Sequence, residues 1–354
     1  MTKRRVDERL ALRGGGVEWL RLPAFLFGGV VALRGELYDR GWLPAARLEA
    51  PVVSVGNLSA GGTGKTPAVV DIARRLARRG RRVGLLSRGY RGGAEGNDEA
   101  RLLASLLPDV PHVADADRVR GGWQLIDAGA DVIVLDDGFQ HRRLARDLDL
   151  VLIDALRPWG LAGAGAEPVR ALLPRGLLRE TPAALARADA IIVTRADRVT
   201  PDELAALESE LSALAPGVPV LTASHRPVAL RTPAGARSDV GALAGRTVEL
   251  VSGIGNPEGF EATVRSLGAR IAGHRRFPDH HAFVSGDLDG LGRDERWVVV
   301  TAKDAVKLRG ERVHVLEIEF TILSGEAILE AQLESLRAAR HIERLDALHE
   351  GLHG

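Results

Sequence analysis

From Pro51 onward, short runs of β-branched and aliphatic residues alternate with longer segments rich in Ala, Leu and Arg. The runs PVVSV (51–55), RVGLL (82–86), DVIVL (131–135), DLVLI (149–153), AIIVT (190–194) and VPVLTA (218–223) have few polar interruptions, which predicts strands buried on both faces. Helical spacing covers 66–79, 116–128 and 201–215 between them. This alternation predicts an α/β fold with a mostly parallel sheet flanked by helices. After residue 225 the texture changes to RPVALRTPAGARSDVGALAGR, rich in Pro, Gly and Arg, which reads as a connection. Further apolar runs follow at 248–255, 270–277, 297–304 and 313–320, and a helical pattern begins at 325. The expected division is an amino-terminal region 1–50, a first domain 51–225, a second, smaller α/β domain 226–320 and a carboxy-terminal helix 321–354.

The amino-terminal region follows a different pattern. Lys3, Arg4, Arg5, Arg9 and Arg13 precede an uncharged stretch from Leu22 to Leu33, with Trp19 before it and Tyr38 and Trp42 after it. That stretch alone is shorter than the about 20 apolar residues a spanning helix needs. A basic start and a short apolar core suggest a signal peptide, but Glu18, Glu36 and Asp39 flank the core and no A-x-A site follows cleanly. Two readings stay open: a helix lying in the membrane interface with aromatic and Arg margins, or a helix packed on the domain behind it.

Composition narrows the function classes. A length of 354 residues, 45% apolar and 27% charged, suits a soluble globular chain of two domains. Lys plus Arg (48) balances Asp plus Glu (47), so no global field draws it to nucleic acid. The absence of cysteine removes disulfides, thiolate zinc sites, iron–sulfur clusters and cysteine nucleophiles.

The chemistry begins at SAGGTGKTPAVVDIARRL (59–76). In the pattern G-x-x-x-x-G-K-[ST], backbone N–H groups of a Gly-rich turn point at phosphate oxygens, the lysine reaches the β- and γ-phosphates, and the hydroxyl binds Mg²⁺. Ser59, Ala60, Gly61, Gly62, Thr63, Gly64, Lys65 and Thr66 occupy these positions; Ser59 stands where the general rule has Gly. Pro67 falls in the first helical turn, where its missing N–H costs nothing. Such a loop needs an acid at a neighbouring strand end, and LDDGFQH supplies Asp136 and Asp137; the bland alternative is a pair of capping acids. The polar loop SRGYRGGAEGNDEA (87–100) follows the second strand, at the end of the sheet where α/β proteins bind ligands. Asp98 and Glu99 are candidates for a base or a second metal contact, and Arg88 and Arg91 for phosphate neutralisation, although each alone also reads as a solvated charge. FPDHHAF (277–283) sets Asp279, His280 and His281 beside aromatics, a grouping suited to proton transfer and lacking a third ligand for zinc.

With these residues in place the sequence resembles the tetraacyldisaccharide 4′-kinase family, the lipid A 4′-kinases, from about Leu20 to Phe320. The resemblance rests on SVGNLSAGGTGKTP, LSRGYRG, GNDEA, DRV, LDDGFQH, LLPRGLLRE, VTRAD, GIGNPEGF, FPDHHAF and TAKDAVKL together. It implies a P-loop NTPase-like domain, a second domain across a cleft, and an amino-terminal membrane-associated helix. The implied reaction passes the γ-phosphate of ATP, with Mg²⁺, to the 4′-hydroxyl of a tetraacylated glucosamine disaccharide 1-phosphate. The implied setting is the cytoplasmic face of the bacterial inner membrane, peripheral or monotopic. Its partners would be the membrane-embedded acylated disaccharide and the bilayer surface, with no nucleic acid and no obligate protein partner. By the same resemblance Asp98 is the catalytic acid, paired with a histidine of the second domain, here His280 rather than His281. Lys65 and Thr66 contact phosphate and Mg²⁺, with Asp136, Asp137 and Glu180 near the metal. Arg118, Gln140 and His141 lie in the cleft. TAKD departs from the relatives' pattern, with Ala302 where many carry Glu. One rival is a nucleotide-switch or cargo-chaperone NTPase, opposed by Ala60 in place of the loop lysine of that class and Thr194 in place of its base-reading Asn. A membrane-binding scaffold with an inert loop is another.

Overall fold

The computed structural model describes residues 10–11, 14–60, 62–89, 98–161, 169–279, 281–308 and 313–336. Among them, one twelve-stranded sheet runs through the molecule in the order β10-β9-β11-β12-β7-β6-β5-β1-β4-β2-β3, with β8 beside β7. The strands are β1 (Val52–Asn57), β2 (Val83–Ser87), β3 (His112–Ala114), β4 (Val132–Asp136), β5 (Leu148–Asp154), β6 (Ala190–Thr194), β7 (Val220–Arg231), β8 (Arg237–Ser238), β9 (Thr247–Ser252), β10 (Arg270–Arg276), β11 (Trp297–Thr301) and β12 (His314–Ser324). The helices are α1 (Arg21–Asp39), α2 (Lys65–Arg78), α3 (Asp98–Leu106), α4 (Arg118–Asp127), α5 (Pro201–Leu214), α6 (Pro257–Ser266), α7 (Ala302–Ala305) and α8 (Glu326–Glu334).

Strands β1, β2, β4, β5 and β6 are buried at every residue, as uninterrupted apolar runs covered on both faces must be. They pair in parallel with one another, and β6 pairs in parallel with the start of β7 at Val220–Thr222. A second parallel block, β10-β9-β11-β12, joins through the antiparallel β7/β12 ribbon. There β11 bonds His314–Leu316 of β12, opposite Leu230 and Arg231 of β7. The two blocks therefore grip opposite ends of one ribbon and run in opposite senses. Their carboxyl strand ends face each other across its middle, which makes a cleft. The segment read as a connection is this ribbon: Arg226 to Arg231 continue β7, and the division expected at 225/226 falls inside the strand.

Helix α8 packs on the first block. Arg75 of α2 is buried among Asp71, Glu326 and Glu330, so the charge that joins the two helices is fully paired. Helix α1 is not the buried helix of the second reading, and its apolar side is bare, as the membrane-interface reading requires. Together with a preceding 3₁₀ turn it covers Gly15–Asp39, which by length and composition could cross a membrane. Of α1 itself Ala24 is the one buried residue, while Trp19, Leu22, Phe25, Leu26, Val30, Leu33 and Trp42 are each more than 60% exposed. One side is tethered: Glu18 pairs with Arg175 at 2.7 Å, and Arg142 donates to Gly35 O at 3.0 Å and to Asp39 at 2.7 Å. These ion pairs hold Glu18 well down, at about 2, through Arg175 and then Arg21.

Phe139 sits fully buried under the turn after β4, against Gly56 of β1, where a Cβ would lie 2.6 Å from the Phe139 Cβ. Phe139→Ala is expected to destabilise the protein by about 3–5 kcal/mol, read as a lower midpoint of urea unfolding.

Candidate active site

The phosphate loop connects β1 to α2, and its residues were placed by the strand–loop–helix pattern alone. Gly64 takes φ +84°, and a Cβ there would lie 2.3 Å from the ring of His225 on β7, so both conformation and space require glycine. Ser59 is buried and bridges Leu178; Ala60 N donates to Leu177 O at 2.7 Å. Asn57 closes the base of the loop, with Nδ2 donating to Ser59 O at 2.8 Å and to Thr63 Oγ1 at 3.0 Å. Thr194 Oγ1 donates to Thr63 O at 3.0 Å, and Arg195 donates to Gly62 O at 3.1 Å while pairing with Asp154. Gly61 lies outside the described residues, and Thr66 follows Lys65 in the first turn of α2, partly exposed.

Lys65 Nζ bonds Asn57 Oδ1 at 3.1 Å and Asp137 Oδ1 at 3.3 Å. The register Val55–Asp136 sets the LDDGFQH turn beside the loop. Asp137 adopts φ +56°, and Arg179 donates to both its oxygens at 2.8 Å and to Gln140 Oε1 at 3.2 Å. Gln140 Nε2 donates in turn to Asn57 O at 2.9 Å. Burial alone would raise Asp137, but Lys65 and Arg179 outweigh it and hold the carboxyl below its usual range. Its neighbour is the opposite case. Burial, with the charges of Asp137 and Glu99, pushes Asp136 up to about 7 in spite of Lys65. Asp136 Oδ1 has no hydrogen-bond partner.

A divalent cation fits this donor set. The orphaned Asp136 oxygen is the group such an ion would satisfy, and Thr66, next to Lys65 at the start of α2, offers a hydroxyl. One or two carboxylates with a hydroxyl suit Mg²⁺, an ion that keeps several of its waters. Glu180, expected near the metal, is paired with Arg187 at 2.9 Å and leaves Oε1 without a partner.

The cleft residues divide. Arg88 is exposed at the end of β2, and Glu99 reaches Asp136 electrostatically from α3. Arg118 is buried, donating to Asp115 O at 3.3 Å and Ala116 O at 3.0 Å. His141 is lowered to about 4 by burial and then by Arg118, Arg34 and Arg146, so it stays neutral inside a cationic neighbourhood. Arg34 of α1 donates to Gln140 O at 3.2 Å, which fastens the bare apolar helix to the turn that carries the two aspartates.

Asp98 opens α3, and its carboxylate meets Lys307 Nζ from the other block at 3.3 Å. His280 lies outside the described residues. His281 bonds Asp287 Oδ2 at 2.7 Å through Nε2 and stacks on Phe277 at 4.4 Å. Asp279 bonds Lys303 at 3.0 Å. Ala302 opens α7 and packs against the apolar cluster of the second block, so the position that carries Glu in many relatives is a packing position here. Asn57, Arg179, Arg195 and Lys307 were missed as site residues. Each lies inside a quoted motif, but charge and spacing alone do not say which partner it meets.

Comparison with known proteins agrees with the geometry. The family described as Tetraacyldisaccharide-1-P 4'-kinase matches residues 17–338. The chain is 44% identical over 340 residues to the tetraacyldisaccharide 4'-kinase of Anaeromyxobacter dehalogenans (strain 2CP-C), covering 87% of each. It is 41% identical over 309 residues to that of Syntrophus aciditrophicus, covering 78% of this chain and 80% of the relative. Among solved structures, the "apo" form of LpxK from Aquifex aeolicus in complex with ATP superposes with a TM-score of 0.74 at 30% identity, covering 90% of this chain and 99% of that one. A nucleotide switch without a small-molecule acceptor is not favoured by these relatives. The chain belongs to the tetraacyldisaccharide-1-phosphate 4′-kinase family.

Proposed function

We propose that this chain transfers the γ-phosphoryl of ATP to the 4′-hydroxyl of a tetraacylated glucosamine disaccharide 1-phosphate presented by a membrane. One observation carries the reading: the turn that supplies Asp136 and Asp137 to the phosphate loop also anchors a helix with a bare apolar face. Nucleotide and lipid would thereby meet at the carboxyl ends of β1 and β4. The loop amides and Lys65 would hold the triphosphate, and Thr66 and Asp136, with Asp137 beside them, would hold Mg²⁺. The ion, when bound, neutralises charge that builds on the phosphate oxygens. Asp98 and His280 accept the proton of the sugar hydroxyl as it attacks in line. His281 has its ring committed to Asp287 and Phe277, which supports His280 as its partner. The cationic neighbourhood of His141, Arg118 and Arg34 suits an anionic sugar head. The β7/β12 ribbon serves as the hinge between two domains, and closure over it excludes water that would otherwise hydrolyse ATP. Helix α1 rests in the cytoplasmic face of the inner membrane, as a peripheral or monotopic anchor.

The test incubates acceptor with labelled ATP, once in phospholipid vesicles and once in detergent micelles. Wild type is expected to label the acceptor in both. Replacing Phe25 and Val30 together by Ser removes about 3 kcal/mol of apolar transfer, about a hundredfold in vesicle binding. Transfer should then fall on vesicles and persist in micelles. Unlabelled acceptor with wild type, or equal vesicle binding by the variant, counts against the proposal.

A further inference from the structure

Lys307 stands behind α7 with its side chain only 5% exposed. A buried lysine is tolerated when its charge is paired and its donors are used. Here Nζ meets Asp98 Oδ2 at 3.3 Å, Asp304 Oδ1 at 3.7 Å and the main-chain oxygen of His281 at 3.3 Å, and it lies 5.6 Å from the centre of the Phe283 ring. The four partners fall into two groups. Asp304, His281 and Phe283 belong to the second block, and Asp98 belongs to the first.

Asp304 is fixed independently of Lys307. Fully buried, it accepts from Gly253 N at 3.1 Å and from Thr301 Oγ1 at 2.7 Å, and its own N–H donates to Thr301 Oγ1 at 3.2 Å. The second block thus holds the ammonium through contacts of its own, apart from Asp98. Among the described residues this is an ion pair between the two carboxyl strand ends that face each other across the ribbon. The same nitrogen bonds the main chain of the loop that carries the histidines.

We propose that Lys307 is a positioning residue for phosphoryl transfer: its ammonium ties Asp98 of the first block to the main chain of His281 in the second, which sets how the acid and the histidine loop meet. The proposal rests on the reading of Asp98 as the acid–base group. With its nitrogen engaged by Asp98, Asp304 and His281 O, Lys307 acts through Asp98 and affects the chemical step. Misplacing a reacting group by about 1 Å can cost about a hundredfold in rate without weakening substrate binding.

The full chain is assayed with acceptor in micelles for kcat and for KM of ATP, with thermal melting of each variant. Lys307→Met is expected to lower kcat about 10- to 100-fold with KM for ATP within about twofold of wild type. Lys307→Arg, which keeps the charge, should recover most of that loss. In an Asp98→Asn background, Lys307→Met should change kcat less than about threefold, because the pair acts as a unit. A loss carried by KM, an arginine variant as slow as the methionine one, or a full further loss in the Asp98→Asn background overturns the proposal. If Asp98→Asn is impaired and Lys307→Met is not, the positioning role alone fails. If Asp98→Asn keeps wild-type kcat, the reading of Asp98 fails, and the role given to Lys307 falls with it. Should Lys307→Met not fold, the double variant still decides the matter, since removing both charges leaves neither unpaired; a further tenfold drop below Asp98→Asn counts against the tie.

Discussion

Lys65→Ala is expected to lower kcat for phosphoryl transfer about 10³-fold, within the range for losing a positioned donor or cation at developing phosphate charge. The structure indicates why the loss should fall on catalysis rather than on folding. Lys65 has two partners, Asn57 and Asp137, and each keeps other bonds when the ammonium is removed. Asn57 still donates to Ser59 and Thr63, which keeps the base of the loop closed. Asp137 still accepts both bonds from Arg179, so its charge is not stranded and the turn beside the loop is kept. The charge that reaches the β- and γ-phosphates has no such substitute. Lys65→Arg should rescue little, because a compact ammonium meets Asn57 and Asp137 here and a planar guanidinium presents its donors in a different geometry. Single-turnover transfer at saturating ATP, with the melting temperature recorded beside it, checks this. A variant within tenfold of wild type, or one that has lost activity only by unfolding, contradicts it.

Strands β1, β2, β4, β5 and β6 were legible because they are buried on both faces, so runs of Val, Ile and Leu carry the signal; β3, three residues none of which is fully buried, was missed. The ribbon was not legible either. Strand β7 alternates half-buried and exposed residues from His225 to Val228 and contains Pro227, which ordinarily marks a break. Pro227 lies opposite Ile318, where the register of β12 shifts, and at such an irregularity a residue without an N–H is tolerated. What reads as a connection in one dimension is, in three, a strand that pairs with both blocks of the sheet through its ribbon. Helix α1 shows a related limit. The uncharged stretch could be counted, but whether it is covered depends on what packs on it, and the tethers from Arg142, Arg34 and Arg175 leave its apolar side bare. In the site, the loop and its two aspartates were readable because one βα unit and its neighbour hold them. The opposed titration of Asp136 and Asp137 was not readable, since it depends on Arg179 reaching one carboxylate and missing the other. The meeting of Asp98 with Lys307 joins segments far apart in the chain, and no local spacing encodes it.

Asp98→Ala and His280→Ala are each expected to cut turnover about 10²- to 10⁴-fold, the span of one acid–base contribution. Asp98 is placed for this work by its position. It is the first residue of α3, where the helix dipole favours a carboxylate, and it is held from across the cleft by a buried ammonium. A carboxylate so placed is oriented, which is what a histidine partner needs in order to take a proton and hold it. The two groups should act as a unit, so the double variant is expected to be little slower than either single one. His281→Ala should cost less turnover than His280→Ala, because the ring of His281 is engaged by Asp287 and Phe277 and serves the packing of its loop. ATP binding is expected to survive in all of these variants, since the phosphate loop is built from β1 and α2 and shares none of these side chains. Near-full kcat in both single variants removes the dyad and leaves the loop and its metal carboxylates as the whole of the catalytic machinery. Independent, multiplying losses instead point to two groups acting at separate steps.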